Sequence, residues 1–401
     1  MPIFSYTWRM CDCFQPWAVG YATQLILTEN VDALIGPPCV TSAIAAGYVA
    51  SFYNTPLYLW GATVSSEFYN NTVYPTMNNL NVNSDMLALA YQSVLVQFNW
   101  TEVSFVYTPD NERMVCNSVQ QSLTNVLNVT NVTIVFQHQM ESNVDSMKAT
   151  LRNLRNRSRI VLVCFDLEVD RRNFLLSIFD AGLAADNEFV FIMGSLRNQG
   201  MLQQVVFVVQ IDLENQSSDQ IDEFNRNLTT KFGTYPFLCN GSCMGDAGEQ
   251  SPSQYARALF DTTYAYFRAL NRTMEKRKSN ARDLLRNGTE LNEETAGSTF
   301  LGETGLITFD ADGNRQPTFF VTMLNALNVP TVTMTVNITN RALGQRGVGG
   351  GRGGGGGTSD RLAAEREENG ESRDSRSLFR SDLILPSPPH RLAAVKVRRA
   401  E

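Results

Sequence analysis

Residues 31–61 constrain the fold more strongly than any other part of the chain. An apolar run at 33–36 stops at a Gly-Pro-Pro turn, residues 39–53 space their apolar side chains as a helix does, and a second apolar run at 57–60 stops at Gly61. Strand, helix and strand in so short a span predict a βαβ unit. Such units are almost always right-handed and build parallel sheets that helices cover.

The same alternation of apolar runs and helical patterns returns after residue 101, and it predicts a second doubly wound parallel sheet. Two such α/β sheets predict two lobes with a cleft between them. The strands predicted for this second series are Glu102–Thr108, Val132–Phe136, Arg159–Phe165, Glu188–Met193 and Val205–Ile211.

Two further features lie near the end of the regular part of the chain. Thr304–Phe309 and Thr318–Leu324 flank a turn at Asp310–Asn314 and predict a β-hairpin. The composition changes at Arg341, where a nearly pure glycine run and then a charged stretch begin. We therefore predict that residues 341–401 are a disordered and dispensable tail.

Open α/β sheets bind ligands at the carboxyl ends of their strands, so the residues that follow the predicted strands are candidates for ligand contact. Helix capping is the alternative role for Thr41 and Ser42, and a turn or cap is the alternative for Asp110 and Asp166. The full set is Thr41, Ser42, Ala62 and Thr63 in lobe one, and Tyr107, Asp110, Asp166 and Ser195 in lobe two.

The charge and the residue types available exclude several functions. The net charge is -7, and the acidic excess lies in the first 340 residues, which argues against nucleic acid as a partner. His138 and His390 are the two histidines, and the sequence contains no phosphate-binding glycine motif and no metal-ligand cluster. We therefore predict a non-enzymatic binding region that holds no cofactor and no metal.

Eleven Asn-x-Ser/Thr sequons and seven cysteines indicate an extracellular, glycosylated protein. The alternative is that Asn-rich loops create sequons by chance and that a cytosolic protein keeps its cysteines reduced. No apolar run reaches the ~18 residues that span a bilayer and no signal-peptide pattern occurs, so attachment to a membrane is expected only through a segment missing from this sequence. The sequons begin at Asn70, Asn99, Asn128, Asn131, Asn156, Asn215, Asn227, Asn240, Asn271, Asn287 and Asn337.

Five groups of residues carry a family resemblance. They are Gly36-Pro37-Pro38-Cys39; Trp60-Gly61-Ala62; Phe105-Val106-Tyr107 with Cys116; Val161-Leu162-Val163-Cys164; and Phe300-Leu301-Gly302 with Gly305-Leu306-Ile307, Asp310 and Gly313-Asn314-Arg315. Together they resemble the ligand-binding ectodomain of receptor-type guanylate cyclases, whose best-known members are the natriuretic peptide receptors. The chemosensory cyclases of nematodes are the most similar group.

The resemblance covers about residues 1–340 and implies the type I periplasmic-binding fold, with two α/β lobes, crossover segments and a cleft. Lobe one is expected at about 1–98 and 245–300, and lobe two at about 99–244 and 301–340. The implied function is the extracellular ligand-binding region of a single-pass receptor, which couples an unknown small-molecule or peptide ligand to cGMP signalling through domains absent from this chain. A homodimer is also expected.

Disulfide bonds are a further implication of the resemblance, and they suit an extracellular compartment. The upstream partner of Cys39 is taken as Cys13 because it follows an aspartate, as in the family, and Cys11 is then left over. Family members bind chloride beside the Gly-Pro-x-Cys turn through backbone N–H groups. Pro38 has no N–H, which weakens such a site here, although the helix N-terminus at Cys39–Ser42 still favours an anion, so the sequence leaves a chloride site open. The pairs that the resemblance implies are Cys13–Cys39 and Cys116–Cys164. Cys239 and Cys243 are spaced so that a bond between them would close a small loop.

The chain also departs from the family pattern, because it enters at what resembles the second strand of lobe one. The first strand of a doubly wound lobe lies in the interior of its sheet, so its two neighbours are expected to have unpaired backbone groups. We therefore expect an unstable first lobe and a more stable second lobe.

Two other functions stay open at the level of sequence. One is a soluble extracellular binding or decoy protein of the same fold, and the other is a different receptor family with that fold, such as the glutamate or GABA receptor ectodomains. An intracellular enzyme is disfavoured by the cysteines and the sequons.

Overall fold

The structure is a computed structural model, and within the part of the chain that it describes the strands form a five-stranded sheet, a seven-stranded sheet and a two-stranded hairpin. The described residues are 2–109, 114–165, 167–184, 188–194, 196, 208–213, 218–232, 234, 255–277, 282–325, 327, 329–338 and 391–399.

The five-stranded sheet belongs to lobe one. Its last three strands are parallel to one another, and the predicted βαβ unit is present with α2 (Val40–Phe52) as its helix. The strands, in spatial order, are β1 (Pro2–Met10), β14 (Arg391–Arg399), β2 (Ala33–Ile35), β3 (Leu57–Leu59) and β4 (Met77–Asn79).

Helices cover both faces of this sheet. Leu34 and Leu57 pack against α1 (Gln15–Leu27) and α2. Ile35 and Tyr58 pack on the opposite face, against α8 and α9. Because both faces are buried, β2 and β3 are continuous apolar runs without polar alternation. The two covering helices of the second face are α8 (Ala256–Arg277) and α9 (Gly288–Thr295).

The seven-stranded sheet belongs to lobe two. Five of its strands, β6–β5–β7–β8–β9, form four parallel pairs, and two antiparallel strands extend the sheet beyond β9. In spatial order the strands are β13 (Pro330–Asn337), β12 (Thr318–Leu324), β9 (Val208–Leu213), β8 (Val190–Gly194), β7 (Ile160–Cys164), β5 (Glu102–Tyr107) and β6 (Thr133–Gln139).

The two faces of this second sheet also carry separate helical layers. Phe105 and Leu162 face α3 and α4, whereas Val161 and Phe191 face α5 and α6. The predicted α/β fold class with two doubly wound parallel sheets is thus present. The helices after β4, in chain order, are α3 (Ser84–Gln97), α4 (Val115–Leu127), α5 (Val144–Leu154), α6 (Glu168–Asp180) and α7 (Ser218–Phe232).

Two disulfide bonds lie at the sheet edges. Cys13 bonds Cys39, with Cα atoms 5.5 Å apart, and joins the end of β1 to the start of α2. Cys116 bonds Cys164, with Cα atoms 5.6 Å apart, and joins α4 to the end of β7. These are the two pairs expected from the resemblance. In the chain-entropy model, closing the 48-residue separation of the second pair stabilises the fold by about 4 kcal/mol.

The predicted hairpin between Thr304–Phe309 and Thr318–Leu324 is wrong. The first of these segments is β11 (Gly305–Thr308), which pairs with β10 (Thr299–Gly302), while β12 pairs with β9 and β13. The turn between them is held by the Asp310 carboxylate, which accepts the amide N–H groups of Asp312 and Asn314. The chain crosses from one lobe to the other here, so the two segments enter different sheets.

The lobe boundaries also differ from the expected ones. Helix α3 lies before residue 98, yet its Leu87 and Tyr91 pack with the core of the second sheet. Ile307 and Phe309 lie after residue 300, yet they pack with the core of the first lobe. The crossovers therefore fall at about residues 80–83 and 309–317, because burial of an apolar helix face decides which lobe it joins.

Strand β14 contradicts the prediction that all of 341–401 is a disordered tail. Residues 391–399 pair with β1 on one side and with β2 on the other. The interior position that was expected to lack a strand is therefore filled, and both neighbours have backbone partners. The physical reason is the demand of buried backbone groups for hydrogen bonds, which any segment of sufficient length can meet.

We expect that ending the chain at His390 destabilises lobe one selectively. Each buried amide or carbonyl of β2 that loses its partner costs about 1–3 kcal/mol, so we expect the unfolding free energy of lobe one to fall by roughly 2–4 kcal/mol. Hydrogen exchange measures this as faster exchange at Ala33 and Ile35, with Val161 and Leu162 of lobe two unchanged. A chain ending at Ala400 keeps β14 and is the control. Equal protection of Ala33 and Ile35 in both chains would contradict the expectation.

Candidate ligand-binding site

The turns after β2 and β3 form one rigid edge of lobe one. The Ala62 N–H donates to the carbonyl of Pro38 at 2.7 Å. Gly61 lies between them with φ of 89°, and a Cβ at this position would come within 2.4 Å of the Pro38 Cβ. Glycine is therefore required at 61 both by its backbone conformation and by the close approach.

The lobe-one residues predicted to contact ligand are buried in this edge or hydrogen-bonded within it. The Thr41 hydroxyl donates to the carbonyl of Cys13 at 3.1 Å, and Ser42 is fully buried. Helix α2 has Cys39 at its N-cap position without a side-chain cap bond, so neither Thr41 nor Ser42 is the N-cap residue. Ala62 is also buried.

Thr63 is the centre of a buried amide network. Its hydroxyl donates to Asn79 Oδ1 at 3.0 Å and accepts from Asn81 Nδ2 at 2.6 Å. The Asn79 Nδ2 in turn donates to the Thr63 carbonyl at 2.7 Å. This network ties the residues after β3 to the carboxyl end of β4, so in this conformation Thr63 stabilises the edge and has its polar groups paired within the lobe.

The carboxyl edge of lobe two presents a different set of groups. Tyr107 ends β5, stacks on Phe105 with ring centroids 5.3 Å apart, and donates its hydroxyl to Gln139 Oε1 at 3.3 Å. Burial raises the pKa of the Tyr107 phenol, which therefore stays protonated. The other lobe-two candidates, Asp110, Asp166 and Ser195, lie outside the described residues.

Tyr91 is a buried residue of α3 that the sequence did not single out. Its hydroxyl accepts the Gly194 N–H at 2.6 Å and donates to the Val163 carbonyl at 3.3 Å. A Cβ on Gly194 would lie 2.5 Å from this hydroxyl, so only glycine fits there. Tyr91 thereby fixes the carboxyl ends of β7 and β8, where the lobe-two candidates begin.

Asp212 is the second residue at this edge that sequence patterns missed. It lies near the carboxyl end of β9, and burial raises the pKa of its carboxyl to about 7, although the Arg171 guanidinium and the Gln210 amide lower it. Its Oδ1 is buried and has no hydrogen-bond partner among the described residues. A carboxyl directly after the predicted strand Val205–Ile211 was the available signal, and the candidate set omitted it.

A bracket of polar groups joins the two crossovers. The Arg315 guanidinium of the second crossover donates to the Leu80 carbonyl of the first at 2.7 Å. Beside it the buried Asp261 carboxylate accepts the N–H groups of Glu303 and Thr304, at 2.6 and 2.8 Å. Burial raises the pKa of Asp261 to about 6, while these hydrogen bonds and Arg315 lower it. The bracket holds the β10–β11 turn, α8 and both crossovers together.

The predicted glycosylation sites are mostly accessible. Nine of the eleven sequon asparagines lie among the described residues, and eight of these nine are exposed. The ninth, Asn287, is half-buried, and its Oδ1 accepts the Glu290 N–H at the start of α9. Asn70 lines a polar groove of about 1,050 Å³ between residues 65–72 and helices α3 and α4. Asn215 and Asn240 lie outside the described residues, as do Cys239 and Cys243.

Two further properties of the described residues concern membranes and metals. None of the helices there combines the length and the apolar character needed to cross a bilayer. No group of His, Cys, Asp or Glu side chains in the same part of the chain is arranged to hold a metal ion.

Two parallel α/β lobes joined by crossovers define a ligand-binding protein of the periplasmic-binding-protein type. The fold is similar to that of a solved solute-binding protein of an ABC transporter from Rhodopseudomonas palustris BisB5, in complex with 3,4-dihydroxybenzoic acid. The TM-score is 0.58 and the identity 14%, over 81% of this chain and 84% of that one. At this identity the likeness shows the fold alone.

Residues 4–326 match the receptor family ligand binding region, the ANF receptor family, and the chain belongs to this family. It is 26% identical to receptor-type guanylate cyclase gcy-14 of Caenorhabditis elegans, over 84% of this chain and 33% of the relative. It is 26% identical to gcy-13 of the same organism, over 76% of this chain and 32% of the relative. It is 23% identical to gcy-4 of Caenorhabditis briggsae, over 84% of this chain and 32% of the relative. The chain thus spans about a third of the length of these relatives, and the family resemblance is confirmed.

We expect Asp212→Asn to change how stability depends on pH. The folded-state pKa of about 7 exceeds the ordinary value of 3.8, so the folded protein binds this proton more tightly than the unfolded chain does. Wild-type stability should therefore fall as the pH rises from about 4 to 7, and the variant should lack this part of the loss. At pH 8 the variant should be more stable in urea unfolding, by about 1.4 kcal/mol for each unit by which burial raises the pKa of Asp212.

The control is Asp145→Asn, which alters an exposed carboxyl in the first turn of α5. It should leave the pH dependence as it is in the wild type. If Asp212→Asn also follows the wild-type pH curve, burial does not govern the Asp212 carboxyl.

Proposed function

We propose that this chain is the extracellular ligand-binding region of a single-pass receptor guanylate cyclase. The observation that carries the proposal is the family match over residues 4–326, together with relatives that are receptor-type guanylate cyclases. Ligand binding changes the relation between the lobes, and domains outside this chain convert that change into cGMP synthesis.

The ligand, a small molecule or a peptide, binds between the carboxyl edges of the two sheets, where open α/β sheets hold their ligands. The lobe-one edge contributes a rigid wall, because Thr63 and its neighbours are already paired within the lobe. The lobe-two edge contributes the polar groups that distinguish ligands. Tyr107 ends β5, while Asp110, Asp166 and Ser195 follow strands of this sheet in the sequence, and the Asp212 carboxyl lies near the carboxyl end of β9.

We expect Asp166→Asn to weaken the response of the receptor to its ligand. The test replaces the matching region of gcy-14 with this full chain and measures cGMP in cells while small molecules and short peptides are applied. For a compound that raises cGMP, loss of a hydrogen bond from a charged group costs about 1.5–3 kcal/mol, which is at least tenfold in half-maximal concentration.

Asp145→Asn, with its exposed carboxyl on α5, is the matched control. It should leave the half-maximal concentration unchanged at equal surface expression. An equal shift in both variants would place the ligand away from the lobe-two edge. A fusion that reaches the surface, synthesises cGMP constitutively and responds to no compound would count against the receptor function itself.

The homodimer forms through an apolar face of lobe one. Helices α1 and α2 pack together, and each leaves large apolar side chains exposed on its outer side, which is unusual for a surface that meets only water. Aromatic side chains of this kind are enriched at protein interfaces. The exposed residues are Trp17 (47%), Leu27 (57%), Tyr48 (53%) and Phe52 (82%).

We expect Gly20→Arg to abolish this dimer without unfolding the chain. Gly20 lies in α1 between Trp17 and Leu27, and a Cβ there meets nothing within 4 Å, so a larger residue fits the monomer. The charge would then be buried without a partner in the interface. Sedimentation should show a monomer for Gly20→Arg and a dimer for Asn153→Arg, which adds the same charge to an exposed position of α5. Equal behaviour of the two variants would refute this interface.

A further inference from the structure

Strand β14 is the one strand of the first sheet that runs against its neighbours. It pairs antiparallel with β1 over nine residues and antiparallel with β2 over three. The strands β2, β3 and β4 are parallel to one another. A parallel strand needs a crossover connection, whereas an antiparallel one does not, so residues 391–399 can enter the sheet as a separate segment.

The edge of β2 that faces β14 requires a partner. Leu34 and Gly36 donate their amide N–H groups to carbonyls on the β3 side, at 2.9 and 2.7 Å. Successive amides along a strand point to opposite edges, so those of Ala33 and Ile35 face β14, where their register partners are Val395 and Ala393. With β14 in place Ala33 and Ile35 are fully buried, and β14 supplies the partners that their amides need there.

Strand β14 also connects β1 to the rest of the sheet. Among the described strands, β1 pairs with β14 alone, along the whole of Pro2–Met10. The edge of β1 and the edge of β2 therefore face each other across a gap one strand wide, and the backbone groups of both edges need hydrogen-bond partners. Main-chain hydrogen bonds supply most of the attraction when a strand is added in this way, so the position places little demand on the sequence of its occupant.

The charge of the segment favours its return to this lobe. Residues 391–399 contain four basic residues, Arg391, Lys396, Arg398 and Arg399, and no acidic one. The first 340 residues carry 21 basic and 32 acidic residues. Opposite net charges raise the rate of encounter between a segment and a surface at moderate ionic strength.

We propose that the position between β1 and β2 is a strand-acceptor site and that residues 391–399 are an exchangeable occupant. The partner that this site fits is a second copy of the chain, which donates its own residues 391–399 in place of the resident strand. The acceptor edges are the same whether the strand arrives from the same chain or from another.

The test uses the full chain with a protease site inserted in the run Gly353–Gly357. After cleavage, a fluorescent peptide with the sequence of residues 391–399 is added and its anisotropy is followed. We expect the peptide to enter the cut chain and to bind the uncut chain at least tenfold more weakly, because the tethered strand competes at a high effective concentration.

Two peptide variants make the test specific. The Ala394→Pro peptide lacks an amide N–H at the centre of the strand and should not bind. The Arg399→Lys peptide keeps the charge, is changed at the end that pairs with Pro2, outside the register with β2, and should bind as the unaltered peptide does.

Entry of the unaltered peptide, but not of the proline peptide, supports the proposal. The proposal is overturned if the cut C-terminal fragment leaves with no fall in melting temperature, because the site then needs no occupant. It is also overturned if the fragment stays and no labelled peptide enters at a hundredfold excess, because the strand is then a fixed part of the lobe. These results do not depend on whether the chain is part of a guanylate cyclase receptor.

Discussion

Backbone hydrogen bonding at the edges of buried strands is the constraint on which both lobes depend. A strand such as β2, covered by helices on both faces, has no access to water along either edge. Lobe two meets the demand with its own consecutive strands and closes one side with the antiparallel pair β12–β13. Lobe one meets it with a strand from the opposite end of the sequence. Helix packing, the disulfides and the ligand-binding edge all follow from sheets that are paired in this way.

Local sequence patterns predicted the parts of the fold that local physics decides. The apolar side chains of the βαβ unit at residues 31–61 and of the elements after residue 101 recur with the spacings of helices and strands. The first set lies in the five-stranded sheet and the second in the seven-stranded sheet. The wrong predictions all concern tertiary structure, that is, which lobe or sheet an element joins. Helix α3 has the same amphipathic pattern whichever lobe it covers, and β11 and β12 are equally good strands in a hairpin or in two separate sheets. Strand β14 follows a long glycine-rich and charged stretch, so composition concealed it.

The candidate site shows a similar division. Position after a strand correctly located the edges of the sheets, but it did not separate groups that build an edge from groups that face a ligand. Thr41 and Thr63 have the right residue type and place, yet their hydroxyls are paired within lobe one. Tyr91 reaches the lobe-two edge from a helix face, and such a residue becomes visible only when the packing of helices on the sheet is known. Asp212 directly follows the predicted strand Val205–Ile211, so position after a strand was enough to find it.

The bracket between the crossovers has a mechanical consequence. The two crossover segments are joined by the hydrogen bond from Arg315 to the Leu80 carbonyl, and together they form a hinge between the lobes. Sliding one lobe past the other would tear the Arg315 contact, whereas swinging about the line through both segments leaves it in place. Rotation about this line is therefore the relative movement of the lobes that the contact permits most readily. Such a rotation would change the separation of the two sheet edges while the crossovers stay joined.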